Sequence, residues 1–263
     1  MNAMSFYEGS LLSVAPNWLF RLLYMATYIF CYFFLLTLLV WLFYKEKLTS
    51  YIKITHSQNL HFILLAILLP ILMITLWILF LPGAQTVKTF SIWKYLYLAG
   101  ITLLEYGFMI TFIEEFTFRV LLQPKIASAW GRKTAVISTS LLWSILAFHS
   151  ADATVPYVLW DLLLMTLWGM FFSYIYNKTG SFTVCMLFHG MLNILWNGQI
   201  LSISTYFWSG NESILEYKIP ELSGIFYRIC NPEHYETNAL ILLISFFAWK
   251  AYFHRKEVRE PSA

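Results

Sequence analysis

Long uncharged apolar runs, separated by short polar stretches, account for most of the chain. The first, Leu22 to Tyr44, is 23 residues without a charge. That is far longer than the roughly 7 to 15 residue core of a signal peptide, so it predicts an uncleaved transmembrane helix. Further runs cover about 61–82 (broken by Pro70), 95–122, 134–149, 155–177, 181–200 and 237–253. Each is long enough, or nearly so, to cross a hydrocarbon core of roughly 30 Å as helix. The pattern predicts an all-α, polytopic transmembrane bundle of about seven spans, in a single membrane domain over residues 1–263.

Basic residues add an orientation, because short cytoplasmic loops collect Lys and Arg. With the N-terminus outside and the C-terminus cytoplasmic, Lys45, Lys47, Lys53, Lys125, Arg132, Lys133, Lys178, Lys250, Arg255, Lys256 and Arg259 fall at cytoplasmic ends, 11 of the 17 basic residues. The predicted outer loop 201–236 holds five Glu against Lys218 and Arg228.

Composition narrows the class further. Hydrophobic residues make up 59% of the 263 positions and charged residues only 12%, with a mean hydropathy of +0.65. A soluble domain carries about 25% charge, which excludes a cytosolic globule, a disordered chain and a secreted disulfide scaffold. The net charge of +3 comes from interspersed residues, with no basic stripe for nucleic acid. Cys31, Cys185 and Cys230 form no disulfide framework, and those in apolar runs read as small hydrophobes. Trp41, Trp93, Trp130 and Trp160 lie near predicted span ends, as an interfacial aromatic belt requires. The Asn177 and Asn211 triplets fit a glycosylation pattern, the first on the predicted cytoplasmic side.

Against this background the charged and imidazole groups inside the runs stand out. The third run contains Glu114, Glu115 and Arg119. Ionised groups at mid-bilayer cost roughly 2.5 to 3.5 kcal/mol each, so something must offset them. Glu115 and Arg119 are four apart and predict an ion pair on one helical face, whereas Glu114 lies about 100° round the helix. His149 closes the fourth run, and His189 and Asn193, again four apart, share a face of the sixth. Burial penalises the charged forms of both carboxylate and imidazole, which suits proton exchange between Glu114 and His149 near neutrality. Paired donors at His189 and Asn193 suit a developing oxyanion. The constellation fits activation of water followed by attack on a carbonyl.

Other groups are weaker candidates. Glu105 lies about 180° from Glu114 on an ideal helix, Asp161 is near the outer end of its run, and His56, His61, His234 and His254 fall in loops or at span ends. The chain has no HExxH, CxxC, Gly-rich phosphate loop or GxSxG.

These residues resemble the CAAX prenyl-protease type 2 and bacteriocin-processing membrane proteins, the CPBP or Abi family of glutamic-type intramembrane endopeptidases. The family's EExxxR motif is matched by Glu114, Glu115 and Arg119, and its HxxxN motif by His189 and Asn193. The stretch Gly169 to Asn193, with Tyr174 to Ser181 ahead of the histidine, is similar to the family's usual approach to that last motif. The middle FxxxH motif is matched in part: His149 is present, but Ile145 stands four residues before it. The resemblance covers about 110–195, the expected catalytic core.

It implies a metal-independent peptide hydrolase with no cofactor. Glu114 would activate water with His149, His189 and Asn193 would stabilise the tetrahedral intermediate, and Glu115 and Arg119 would fix the helix. The implied partners are a protein or peptide substrate, lipidated or not, and membrane lipids, with no nucleic acid. The expected location is a bacterial inner (plasma) membrane. Three alternatives stand beside it: a zinc-dependent intramembrane protease, a non-catalytic scaffold or immunity protein, and a transporter with buried proton-relaying groups.

Overall fold

The computed structural model describes residues 17–45, 60–80, 84–87, 91–147, 155–196, 201–204, 215–218 and 235–259. They divide into two compact units, within residues 1–53 and 54–263.

The first unit contributes one helix, α1, running Asn17–Leu39 and continuing as a π-helical turn, Val40–Tyr44. Many of its apolar side chains are exposed, Phe30, Phe34 and Trp41 among them, while Met25, Leu36 and Val40 are buried. The helix ends at Lys45, whose positive φ of 56° turns the chain, and whose ammonium sits 5.1 Å from the Trp41 ring centroid.

The second unit contains α2 (Leu60–Phe80), α3 (Ile92–Trp130), α4 (Arg132–Ala147), α5 (Val155–Thr179), α6 (Phe182–Trp196) and α7 (Tyr235–Arg259). With α1, the seven helices among the described residues occupy the seven predicted runs. Three of them contain stretches long and apolar enough to cross a membrane: Leu23–Leu42, Ile92–Trp130 and Val158–Thr179. Leu60–Leu76, Phe182–Leu195 and Ala239–His254 are apolar but shorter. Trp41, Trp93, Trp130 and Trp160 are all exposed, as side chains at an interface would be.

One small sheet accompanies the helices. Ala84–Val87 (β1), Leu201–Ser204 (β2) and Leu215–Lys218 (β3) form a small sheet in the order β1-β3-β2. β3 runs antiparallel to β1, with Val87 opposite Leu215, and parallel to β2, with Leu201 opposite Leu215. Leu201-Ser-Ile-Ser and Leu215-Glu-Tyr-Lys do alternate apolar and polar, but four residues are too few for that period to stand out beside runs of twenty. The sheet brings the segment after α2 and the segments after α6 together.

Helix α6 is the central element, packed against α2, α3 and α5. Val184, Cys185 and Phe188 on α6 have no exposed surface. Around Phe188, edge-on contacts with Phe171 of α5 and Trp249 of α7 tie three helices together, and Phe62 of α2 stacks against Trp249. The short link between α5 and α6 depends on Gly180, at φ +63°, a conformation that a side chain would disfavour. Ser181 then accepts from the Val184 N–H at 3.3 Å, capping α6. This tight turn fixes the register in which α6 presents its polar face to α3.

A four-helix candidate site around His189

The polar face of α6 carries Cys185, His189 and Asn193, spaced by four and so aligned along one side of the helix. Facing it is a single regular turn of α3, Thr111–Glu115, set between two π-helical stretches, Thr102–Ile110 and Phe116–Leu122. Such wide turns interrupt regular helices frequently at functional sites, and here they bracket both glutamates. A Cβ on Gly190 would collide with the Gly107 backbone carbonyl, so these two glycines mark where α6 and α3 come into close contact.

That close approach places His189 against both acids. Its Nδ1 lies 2.8 Å from Glu115 Oε1, and its Nε2 lies 3.6 Å from Glu114 Oε2. The second distance is too long for a hydrogen bond but within reach of a shared water. The imidazole plane is held by the Phe172 ring, stacked 4.3 Å away between centroids at 18°, and by the edge of Trp143 at 5.8 Å. The two acids differ in access: the Glu114 side chain keeps 22% of its surface exposed, against 1% for Glu115.

Glu115 is surrounded by donors. Arg119 Nε approaches its Oε2 at 3.4 Å, the i,i+4 pairing expected from sequence, and the Cys185 thiol donates to the same oxygen at 2.9 Å. Arg119 itself is fully buried and donates to the Gly169 carbonyl of α5 at 3.0 Å. A carboxylate facing a guanidinium and a thiol proton is an acceptor, so the His189 Nδ1 carries the hydrogen between them. In neutral imidazole the Nε2 is then an acceptor directed toward Glu114, and a proton held by either group satisfies the pair. Asn193, one turn further along α6, donates to Thr111 Oγ1 at 3.2 Å, and Thr111 donates to the Tyr106 carbonyl. The Asn193 amide has a second hydrogen beyond that bond.

Of the sequence-based candidates, Glu114, Glu115, Arg119, His189 and Asn193 come together. His149 lies outside the described residues, as do His56 and His234. His61 and His254 are exposed, and Glu105 and Asp161 lie at other positions along α3 and α5. Sequence reasoning missed Cys185, Thr111, Trp143 and Phe172. Cys185 was within reach of it, since it stands four residues before His189 on the same face.

Residues 96–195 match the family model of the type II CAAX prenyl endopeptidases, Rce1-like. The matched segment contains every residue of the cluster and agrees with the family that the EExxxR and HxxxN motifs resemble. No curated protein and no solved structure matches the chain.

Proposed function

We propose that the chain is a glutamic-type intramembrane endopeptidase that hydrolyses a peptide bond without a metal ion. The observation that supports this reading most is the placement of His189 between a buried, fully engaged carboxylate and a second carboxylate that keeps part of its surface exposed. Glu114 is the general base. It takes a proton from a water bound beside it, the hydroxide oxygen forms a bond to the scissile carbonyl carbon, and the carbonyl oxygen becomes the oxyanion. Collapse of that intermediate breaks the C–N bond as the proton is delivered to the leaving amine.

His149 is assigned to water activation with Glu114. His189 and Asn193 are assigned to the oxyanion, Asn193 through its second amide hydrogen and His189 through Nε2 when that nitrogen is protonated. Glu115 and Arg119 support α3 and fix His189. The matched domain supports a protein or peptide substrate, and lipidation of that substrate is part of the proposal. So are a catalytic core at 110–195 within one membrane domain, seven spans with the N-terminus outside, and a bacterial inner membrane.

The decisive comparison is of peptide termini in cells carrying the native protein and cells carrying Glu114→Gln. New termini confined to the native strain are expected, and identical termini would remove the proteolytic reading. Cleavage by purified protein should survive a chelator. Loss of turnover with chelator and recovery with zinc would favour the metalloprotease alternative. A partner protein retained equally by native protein and Glu114→Ala, with no cleavage by either, would favour a scaffold.

A further inference from the structure

Away from His189, α4, α5 and α7 enclose a lateral groove of about 1020 Å³. Its walls are apolar, with Leu167 and Phe171 from α5 and Leu240, Leu243 and Phe246 from α7. Only one end is polar: Arg132 opens α4 there, beside Asn177 and Lys178 in the last turn of α5. Arg132 donates to the Asn177 carbonyl at 3.4 Å, which fixes both at the same end, and Arg132 and Lys178 are exposed. Leu167 and Leu243 are also exposed, so the groove opens sideways, onto the surface that an apolar helical bundle presents to lipid.

The dimensions identify the occupant. From Leu167 to Lys178, α5 rises about 16 Å at 1.5 Å per residue, close to half of a roughly 30 Å hydrocarbon core. The groove is therefore one leaflet deep, with two cations where that leaflet's headgroups begin. Its volume is at the upper end of ordinary ligand pockets, roughly 300 to 1,000 Å³, and suits long chains better than a compact metabolite. Basic pockets between membrane helices bind anionic headgroups.

We infer that this groove is a binding site for an anionic phospholipid, with its acyl chains along Leu167, Phe171, Leu243 and Phe246 and its phosphate between Arg132 and Lys178. The site is independent of the proteolytic reading. It also adjoins the catalytic helix: the Asn177 side-chain oxygen accepts from Gln123 Nε2 at 3.2 Å, and Gln123 lies one turn beyond Arg119 on α3. A headgroup that fixes Arg132 and Asn177 braces that end of α3.

The test uses full-length protein in detergent, titrated with phosphatidylglycerol or phosphatidylcholine and followed by native mass spectrometry and thermal unfolding. Phosphatidylglycerol should bind in preference and raise Tm. Each basic residue near a headgroup is worth about fivefold in affinity, so Arg132→Gln combined with Lys178→Gln should weaken phosphatidylglycerol binding roughly 25-fold. Lys178→Gln alone should give about fivefold, which covers the case where the double variant fails to fold. Leu243→Trp, which fills the groove and keeps both charges, should weaken it as well. Equal binding of the two lipids, or undiminished phosphatidylglycerol binding in folded charge and groove variants, would overturn the assignment and leave only nonspecific annular lipid.

Discussion

His189 Nδ1 lies 2.8 Å from Glu115 Oε1, so a residue that sequence suggests is a helix support also sets the tautomer of the central imidazole. Glu115 is the only neighbour for which an ion-pair contact with Arg119 is seen among the described residues, and Arg119 is fully buried. Glu115→Gln removes the counter-charge, and an uncompensated buried charge costs about 3–5 kcal/mol. The expected result is a large fall in Tm and yield, measured by thermal unfolding in detergent. Turnover of the folded fraction, assayed well below Tm, should fall much less than in Glu114→Gln. A stable Glu115→Gln protein without activity would mean that Glu115 takes part in the chemistry directly.

Glu114→Gln should behave in the opposite way. Glu114 is partly exposed, and an amide in its place can donate to the His189 Nε2 lone pair, so the contact at 3.6 Å can be kept or shortened. Stability should stay close to that of the native protein, while loss of a general base lowers turnover by about 10²- to 10⁴-fold. Steady-state cleavage by purified variant, read beside its unfolding curve, checks both halves. Activity within a few-fold of native would leave Glu114 without the assigned role.

How far these residues could be read from sequence depended on the scale of the signal. Apolar runs of 16 residues or more located the seven helices among the described residues, because a run of that length suits a helix and exceeds an ordinary strand. Spacing by four located the Glu115–Arg119 and His189–Asn193 faces. The same spacing contained Cys185, but a lone cysteine in an apolar run reads as packing, and only its approach to Glu115 across two helices shows a polar role. The π-helical stretches on either side of Thr111–Glu115 change the angular position of each side chain, which an ideal 100° per residue does not anticipate. Glu114 and Glu115 diverge by about 100° as neighbours on a helix, yet both address His189, because the imidazole turns a different nitrogen to each, Nδ1 to Glu115 and Nε2 to Glu114. The sheet escaped notice because its strands are four residues each.

The Cys185 thiol gives a graded test of the donor set around Glu115. Cys185→Ala removes a donor to a buried charged acceptor, which costs about 1.5–3 kcal/mol. Cys185→Ser keeps a donor of similar size and should recover much of that loss. Tm should therefore rank native, then Ser, then Ala. If Ala matched native in both Tm and turnover, the 2.9 Å contact would carry no weight in holding Glu115.

The approach of α6 to α3 can be tested one methyl group at a time. At Gly190 a Cβ would meet the Gly107 carbonyl, a backbone atom that cannot rotate away, so Gly190→Ala must push the helices apart beside His189. Overpacking of this kind costs typically about 1–3 kcal/mol, and the displacement also lengthens the reach from His189 to both glutamates. At Gly100, earlier on α3, a methyl would meet nothing within 4 Å, and Ala there gains helix propensity of up to about 1 kcal/mol. Gly100→Ala should thus match or exceed native Tm with full turnover, whereas Gly190→Ala should lose both stability and activity. Thermal unfolding and cleavage assays on the two variants side by side supply the comparison. Equal tolerance at both positions would show that α3 and α6 have slack at this crossing, and that the site does not depend on their close contact.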